Sequence, residues 1–339
     1  KLLVGASHNE GKSWDGNYAY GPSLPFNLLQ PHYDLAYPDI RLPGFTSIVT
    51  RRENALYGQA QIGLTDTVKL LAGGRLSWAE VVTRSTSTGA VTASADPGRQ
   101  FVPSLALMWD FHPQYTGYAS YAETFVVQSQ LNAAKQLLAP RTGKQVELGV
   151  KGEFLHKRLQ AHAALFRIID ENRAIADPVV ANAYIAGGKV RAQGFETEIS
   201  GQPQPGWDIV AGYAYNDTRY LQAPVAQQGQ VFSPVTPRHS VNLFTRHAFT
   251  SPALRGFSVG GGMTYRSEFF AQSGALRINA PGYAVFNAQV GYQINDHLSL
   301  NLSVDNLLDK TYYEKVSGIS RQNFYGEPRR VTVALKARY

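Results

Sequence analysis

Apolar and polar residues alternate along most of this chain, and the pattern is clearest at its C-terminal end. Between Arg329 and Tyr339 every second side chain is apolar, namely Val331, Val333, Leu335, Ala337 and Tyr339. The residues between them are small or charged, namely Thr332, Ala334, Lys336 and Arg338. A period of two predicts a β-strand with one apolar face and one polar face. We therefore expect a strand that separates an apolar medium from a polar one.

The same alternation recurs in pairs of segments that are separated by tight turns. The turns fall near residues 66, 113, 156, 204, 252 and 296, and an interval of roughly 45 residues marks an internal repeat. Each repeat contains two long strands, one tight turn and one long connection, so we expect about 14 strands of about 10 residues. At the start of the chain we expect only a short strand, Leu2 to Ser7. A long loop should follow from about Asn9 to Arg52, because no period is sustained there.

These features predict an all-β fold, an antiparallel transmembrane β-barrel. The strands are long enough to cross a bilayer at a tilt. Tight turns at one end and long loops at the other are typical of outer-membrane barrels, whose tight turns face the periplasm. A β-propeller has a repeat of similar length, but it would need four short strands in each repeat. A soluble sandwich would need fewer and shorter strands.

Composition supports a membrane strand protein. Charged residues make up only 17% of the chain, and Tyr (19), Phe (16) and Gly (31) are plentiful. No Cys is present, which excludes a disulfide scaffold and a thiolate metal site. No stretch approaches about 18 consecutive apolar residues, so no transmembrane helix is predicted. The first residues, from Lys1, have the pattern of a strand rather than of a signal peptide.

Neither nucleic-acid binding nor enzymatic catalysis is predicted. The formal net charge of +7 comes from scattered Lys and Arg rather than from a basic cluster. None of the eight His residues is paired at metal-ligand spacing. The run Gly260–Gly262 precedes strand-like residues rather than a helix, so it is not a phosphate loop. No acid, base and nucleophile are grouped as catalysis requires.

Short motifs then indicate a family. The C-terminal quarter contains Leu300-Asn-Leu-Ser-Val-Asp-Asn-Leu-Leu-Asp-Lys-Thr-Tyr-Tyr313 and, after it, Tyr325-Gly-Glu-Pro-Arg329. Three further blocks precede them, namely Tyr121-Ala-Glu-Thr-Phe125, Gly188-Lys-Val-Arg-Ala-Gln-Gly-Phe-Glu196 and Thr236-Pro-Arg-His239. In this order and spacing they resemble the TonB-dependent outer-membrane siderophore receptors, of the ferripyoverdine or ferrichrome receptor type. Asp305, Asn306 and Asp309 are of the residue type that caps backbone groups where a strand ends.

The resemblance implies a fold, a location and partners. Members of this family have an N-terminal plug domain and a barrel of 22 strands, in the outer membrane of a Gram-negative bacterium. We therefore expect residues 1–339 to be the C-terminal part of such a barrel, with about 14 of the 22 strands and without the plug domain. Fourteen strands alone should leave two open edges. The partners implied are the ferric siderophore, outer-membrane lipid and TonB, which would act through the absent N-terminal region.

The implied function is TonB-dependent uptake of a ferric siderophore, for which this chain would supply barrel wall and extracellular loops. No cofactor is expected, because the iron arrives already chelated. Aromatic and basic side chains would suit a large, polar and often aromatic chelate. The candidate ligand-binding residues are therefore Trp14, Tyr18, Tyr20, Arg51, Arg52, Tyr265 and Phe269. For each of them, packing in an aromatic girdle or in a loop is the structural alternative.

Two other functions stay open at this point. A passive porin-like channel would have a constriction lined by opposite charges, and no loop shows such a separation of charge. A TonB-dependent receptor for another cargo, such as haem or cobalamin, would have the same sequence features.

Overall fold

The computed structural model describes residues 1–15, 46–319 and 322–338. The described residues form nineteen strands and one 3₁₀-helix, Pro252–Leu254. The strands in chain order are β1 Leu2–Asp15, β2 Ser47–Gly63, β3 Val68–Ser85, β4 Val91–Ala95, β5 Arg99–His112, β6 Tyr115–Val126, β7 Arg141–Phe154, β8 Leu159–Ala176, β9 Tyr184–Gln204, β10 Trp207–Gln222, β11 His239–Ala248, β12 Phe257–Arg266, β13 Phe269–Ser273, β14 Leu276–Ala280, β15 Tyr283–Asn295, β16 Leu298–Asp305, β17 Tyr313–Val316, β18 Asn323–Tyr325 and β19 Arg330–Ala337. No helix in these ranges is long and apolar enough to span a membrane.

One large antiparallel sheet contains most of these strands. Its fourteen-strand path runs β1-β2-β3-β5-β6-β7-β8-β9-β10-β11-β12-β15-β16-β19, and the short β4 pairs with β3. Each strand of the path pairs with the next one along the path, which is the up-and-down arrangement predicted from the repeat. Within the described ranges β1 pairs only with β2, and β19 pairs only with β16.

Connections alternate between short and long, as predicted. At one end the strands are joined by tight turns, such as residues 64–67, 113–114, 155–158 and 205–206. At the other end the connections are longer, such as residues 127–140, 177–183 and 223–238. Two of the long connections contain their own hairpins, β13–β14 and β17–β18.

The prediction for the N-terminal region was wrong in its boundaries. β1 continues to Asp15 and β2 begins at Ser47, so residues 9–15 and 47–52 are strand rather than loop. Asn9, Glu10 and Lys12 break the apolar alternation, but they pair in register with Glu53, Arg52 and Thr50. The backbone ladder continues past the apolar band, where polar side chains on both faces hide the period from the sequence. The predicted end of the chain on Tyr339 lies outside the described residues.

The register builds one continuous apolar face. In neighbouring strands Leu107 lies opposite Ala119, Ala119 opposite Leu148, and Leu148 opposite Leu165. Leu148 and Leu165 are 61% and 57% exposed, although they lie in the middle of their strands. A face of exposed aliphatic side chains this wide is stable against lipid rather than against water.

Aromatic side chains lie at both borders of the apolar face. Near the tight turns the rings of Phe111 and Tyr115 stack at 5.9 Å, and Tyr115 contacts Phe154 at 5.5 Å. Towards the long loops Tyr213 and Tyr215 contact His239 at 6.1 and 5.1 Å. Amphipathic rings at two levels are the girdles that mark the two membrane interfaces.

The opposite face is polar. One row across it contains Lys151, His162 and Glu198, each opposite the next in register. The two faces therefore separate lipid-compatible from water-compatible side chains, as the alternation predicted.

Substituting Leu165 by Arg tests which face meets lipid. Leu165 lies on the apolar face, two residues before Arg167 at the loop-side border of the band. An Arg on the lipid side costs about 2 to 4 kcal/mol of folding free energy at the bilayer midplane and about 0 to 1 kcal/mol near the interfaces, so we expect a loss of about 1 to 2 kcal/mol. Urea unfolding of the full-length protein, with the strands that complete the sheet, in lipid vesicles should show this loss. The control is Gln160→Arg in the same strand but on the polar face, for which we expect a change near zero. Equal losses in the two variants would contradict the assignment of the faces.

Candidate functional site

A cluster of titratable side chains lies on the polar face of β6 to β9. The Tyr118 hydroxyl donates to Glu147 Oε1 at 2.5 Å and lies 2.7 Å from His162 Nε2. Gln145 Nε2 donates to the other oxygen of Glu147 at 3.1 Å. The Nζ of Lys151 lies 5.2 Å from the centre of the Tyr118 ring. These contacts hold Glu147 in one orientation on the polar face.

Cavities of about 430 and 220 Å³ adjoin this cluster. Both are lined by His162 and Glu198, the first also by Glu153 and the second also by Glu196. The surface is rich in carboxylates, so it suits cationic groups or N–H donors that approach from the polar side. Within the described ranges no group of three or more His, Asp or Glu is arranged to hold a metal ion.

The long connections form the second region of interest, and Gln128 fastens one of them to strand β8. Gln128 is 9% exposed, and its Nε2 donates to the carbonyls of Ala139 and Asn172, both at 2.7 Å. Its Oε1 accepts from the amide of Ala174 at 3.0 Å. The loop 127–140 is thereby fixed to the end of β8, where Asn172 has a positive φ of 59°. No sequence signal marked Gln128, because a lone Gln after a strand has no pattern.

Cations lie over aromatic rings in the neighbouring connections. The guanidinium carbon of Arg173 lies 4.5 Å from the centre of the Phe232 ring, and that of Arg277 lies 3.5 Å from the centre of the Phe270 ring. Phe232 also meets Tyr220 edge to face at 5.3 Å. Such contacts order long side chains at the loop end.

A small hydrophobic cluster joins the two loop hairpins. It consists of the buried Phe269, Ala271, Ala280 and Val316. Phe269, a candidate ligand-binding residue, is only 4% exposed. In this arrangement its ring packs hairpin β13–β14 against β17.

Asn306 organises the connection before β19. Its side-chain Nδ2 donates to the carbonyls of Lys310 and Glu327 at 2.9 and 3.0 Å, and its Oδ1 accepts from the Lys310 amide at 2.8 Å. Asp309 Oδ1 accepts from the Arg329 amide at 3.0 Å. The capping role predicted for Asn306 and Asp309 is therefore confirmed, whereas the Asp305 carboxylate instead accepts from the Arg330 side chain at 3.1 Å.

Tyr312 and Tyr283 support the same connection. Their ring centres are 4.3 Å apart, and burial raises the pKa of the Tyr312 phenol. Gly326 is required beside them, because a Cβ at this position would collide with the Tyr312 ring.

The candidate ligand-binding residues that the structure describes do not all lie together. Tyr18 and Tyr20 lie outside the described residues. Tyr265 lies on the apolar face, opposite Val241 and Ala284. Trp14 is 54% exposed near the loop end of β1, opposite Ile48.

Arg51 and Arg52 are adjacent in sequence but point to opposite faces. Arg52 shares its face with Trp14, and its Nε donates to Glu10 Oε2 at 2.9 Å. Its guanidinium also lies 3.6 Å from Glu80. The hydrogen bond from Arg52 holds the pKa of Glu10 below its ordinary value. Arg51 lies on the polar face, opposite Gly11 and Val81.

Comparison with known proteins gives a consistent result. Residues 2–307 match the family model described as TonB dependent receptor-like, beta-barrel. The ferric-pyoverdine M114 receptor of Pseudomonas sp. (strain M114) is 32% identical over 359 residues, covering 99% of this chain and 43% of the relative. The ferripyoverdine receptor of Pseudomonas aeruginosa is 31% identical over 350 residues, covering 97% of this chain and 41% of the relative. This chain thus spans less than half the length of these two relatives.

Solved structures agree with the sequence comparison. The crystal structure of the outer-membrane ferripyoverdine receptor of P. aeruginosa, bound to ferripyoverdine, superposes with a TM-score of 0.84 at 29% identity. The match covers 99% of this chain and 45% of that one. The ferric-catecholate import receptor Fiu of E. coli has a TM-score of 0.80 at 22% identity, covering 98% of this chain and 51% of that one, and supports the fold alone.

Replacing Asn306 by Ala should loosen the connection 307–329. Three backbone groups would lose their partner, at about 1 to 3 kcal/mol for each that stays buried. Hydrogen exchange of amides 307–329 should become at least roughly tenfold faster, while the sheet keeps its protection. Asn279→Ala, at an exposed position of β14, is the control.

A second variant separates hydrogen bonding from backbone strain. Asn306 has a positive φ of 49°, which Gly adopts freely and Ala does not. Asn306→Gly should still exchange faster than wild type. Wild-type exchange in the Gly variant would contradict the hydrogen-bonding role.

Proposed function

The chain belongs to the TonB-dependent receptors, and from this membership we propose that it takes part in the uptake of a ferric siderophore across the outer membrane. Receptors of this family are outer-membrane β-barrels of Gram-negative bacteria and are not enzymes. The family predicted from the sequence motifs is thus confirmed. The observation that carries the proposal is the similarity, over nearly the whole chain, to two relatives named as ferric-pyoverdine receptors.

In this proposal the chain supplies the C-terminal part of the barrel wall and several extracellular loops. The path of fourteen strands leaves one edge each on β1 and β19 within the described residues. Unpaired backbone in lipid costs several kcal/mol per group, so these edges need further strands. The relatives are more than twice as long as this chain, which leaves room for such strands and for a plug domain. TonB would act through that additional region.

The loop end has the properties of a preformed binding surface. Gln128, Asn306 and the Phe269 cluster hold the long connections in one arrangement before any ligand arrives. A surface that is already ordered loses less conformational entropy on binding. Its arginines and aromatic rings suit a chelate that carries carboxylate or hydroxamate oxygens and a flat aromatic group.

Among the candidate residues, Arg51 has the placement that fits ligand contact best. It lies on the polar face near the loop end, which in a barrel is the lumen side. Arg52 lies on the outer face and is already paired with Glu10 and Glu80. Phe269 is buried and Tyr265 lies on the apolar face, so we propose packing roles for these two. Trp14, Tyr18 and Tyr20 remain candidates of the first extracellular loop.

Uptake of radioactive iron tests the function. Cells that express the complete receptor should accumulate iron supplied as ferripyoverdine only when TonB is present. Excess haemin or cobalamin should not compete, whereas excess ferripyoverdine should. Uptake that persists without TonB would instead indicate a passive channel, and competition by haemin or cobalamin would indicate another cargo.

Adjacent substitutions test the ligand contact. Arg51→Ala should weaken ferripyoverdine binding to whole cells by roughly tenfold, the effect of losing one charged hydrogen bond. Arg52→Ala, the matched control, should change binding less than about twofold because its charge is screened and faces outward. Equal effects of the two variants would contradict the assignment of Arg51 to the lumen.

A further inference from the structure

Three arginines surround a single carboxylate on the outer face of the sheet, and a fourth arginine lies in the same row two strands away. We call Arg167, Arg191, Arg219 and Arg238, with Asp217 among them, the arginine cluster. Arg238 and Arg219 approach Asp217 Oδ1 at 3.0 and 3.2 Å, and Arg191 approaches Oδ2 at 3.3 Å. The side chain of Asp217 is 12% exposed, so the carboxylate is nearly enclosed by guanidinium groups.

The strand register places this cluster on the lipid side. Asp217 lies opposite Gln193 in β9, and Gln193 lies opposite Arg167 in β8. Two residues earlier in β10, Tyr215 lies opposite Phe195, which lies opposite Leu165 on the apolar face. Side chains two residues apart in a strand share a face. The cluster therefore belongs to the same face as the membrane-exposed leucines and not to the lumen.

The cluster also lies at the height of a membrane surface. Asp217 is ten residues beyond Trp207, the first residue of β10 (217 − 207 = 10). At about 3.3 Å per residue and a tilt of about 40°, this corresponds to about 25 Å of membrane thickness, the height of an outer-membrane apolar band. Tyr213, Tyr215 and His239, the aromatic contacts on the loop side of the band, come just before it. Lipid headgroups begin at this level.

Positive charge in the cluster exceeds negative charge. The cluster contains four guanidinium groups and one carboxylate, which leaves three positive charges, and three of the four guanidinium groups contact Asp217. The Nε of Arg191 is buried and has no hydrogen-bond partner within the described part of the chain. The Nε of Arg167 donates only to a neutral acceptor, Gln193, at 3.1 Å.

Neighbouring charges on the same face do not cancel this excess. Lys189 and Glu171 pair with each other at 2.6 Å. Lys144 lies opposite Glu123 in register. Both pairs are neutral as units, so the three charges of the arginine cluster remain.

An apolar groove of about 620 Å³ adjoins the cluster on the membrane side. Its walls include Val146, Leu148, Leu165, Phe195 and Tyr215, and its upper border includes Arg167 and Gln193. Hydrocarbon chains fit the lower part of this surface, and an anionic group fits the upper part.

We propose that the arginine cluster and the groove bind a membrane lipid with a phosphorylated headgroup in the outer leaflet. Guanidinium groups match the geometry of phosphate oxygens, and basic side chains at a membrane surface attract anionic headgroups. Acyl chains of the same molecule lie along the groove. The ferric chelate is not the ligand of this site, because the site faces away from the lumen. The inference does not depend on which cargo the receptor carries.

Native mass spectrometry of the complete receptor in detergent tests the proposal. The probes are a glycolipid with two phosphates, lipid A, and the same lipid after enzymatic dephosphorylation. We expect lipid A to bind at least roughly tenfold more tightly than the dephosphorylated lipid. The double variant Arg167→Gln/Arg238→Gln should bind both lipids equally weakly. Both of these arginines are exposed, so the variant should fold, which heat-modifiable migration on gels will verify.

The control variant also removes two positive charges, but at the other end of the sheet. Arg158→Gln/Arg255→Gln lies at exposed positions beside the tight turns and should keep the preference for lipid A. Wild-type binding of lipid A by the cluster variant would overturn the proposal, as would equal binding of the two lipids by the wild type. Complete displacement of lipid A by millimolar inorganic phosphate would assign the cluster to a free anion and overturn the lipid assignment.

Discussion

The backbone hydrogen-bond ladder is the constraint on which this structure depends. A strand in lipid finds no water for its N–H and C=O groups, so neighbouring strands must satisfy them. The fourteen strands of the path do this by pairing in sequence order. Side-chain burial contributes little by comparison: buried positions in the wall are occupied by small side chains such as Ala55, Ala164 and Val190. Backbone hydrogen bonds therefore hold the wall together. Its side chains face lipid on one side and the lumen on the other.

The loop end is held together in a different way. There the chain leaves the ladder, and its backbone groups need other partners. Gln128 and Asn306 supply them from single side chains that each contact several carbonyls and amides. Phe269 and Val316 add a small apolar core beneath the two hairpins. A surface whose backbone groups are held by such contacts can be irregular in shape and still be well ordered.

The face on which a charge lies decides its role. Arg51 and Arg52 differ by one residue, yet one lies on the polar face and the other pairs with carboxylates on the outer face. The arginine cluster lies on the outer face just beyond the apolar band. In our proposal its guanidinium groups bind lipid headgroups there rather than the transported ligand. Its signal was present in the sequence: the alternation Tyr213, Tyr215, Asp217, Arg219 changes from aromatic to charged on a single face.

The sequence alone determined the fold class, the alternation of short turns and long loops, and the family. These depend on period two and on local motifs, which are properties of neighbouring residues. The apolar–polar pattern of the sequence misplaced the end of β1 and the start of β2. Beyond the apolar band both faces are polar, so the alternation with a period of two disappears. Tertiary structure decided which side chains meet: that Phe269 is buried, that Tyr265 lies on the apolar face, and that Arg191 and Arg238 converge on Asp217. Such contacts join different strands, and their register is set by a backbone ladder whose hydrogen bonds are common to all residue types except proline.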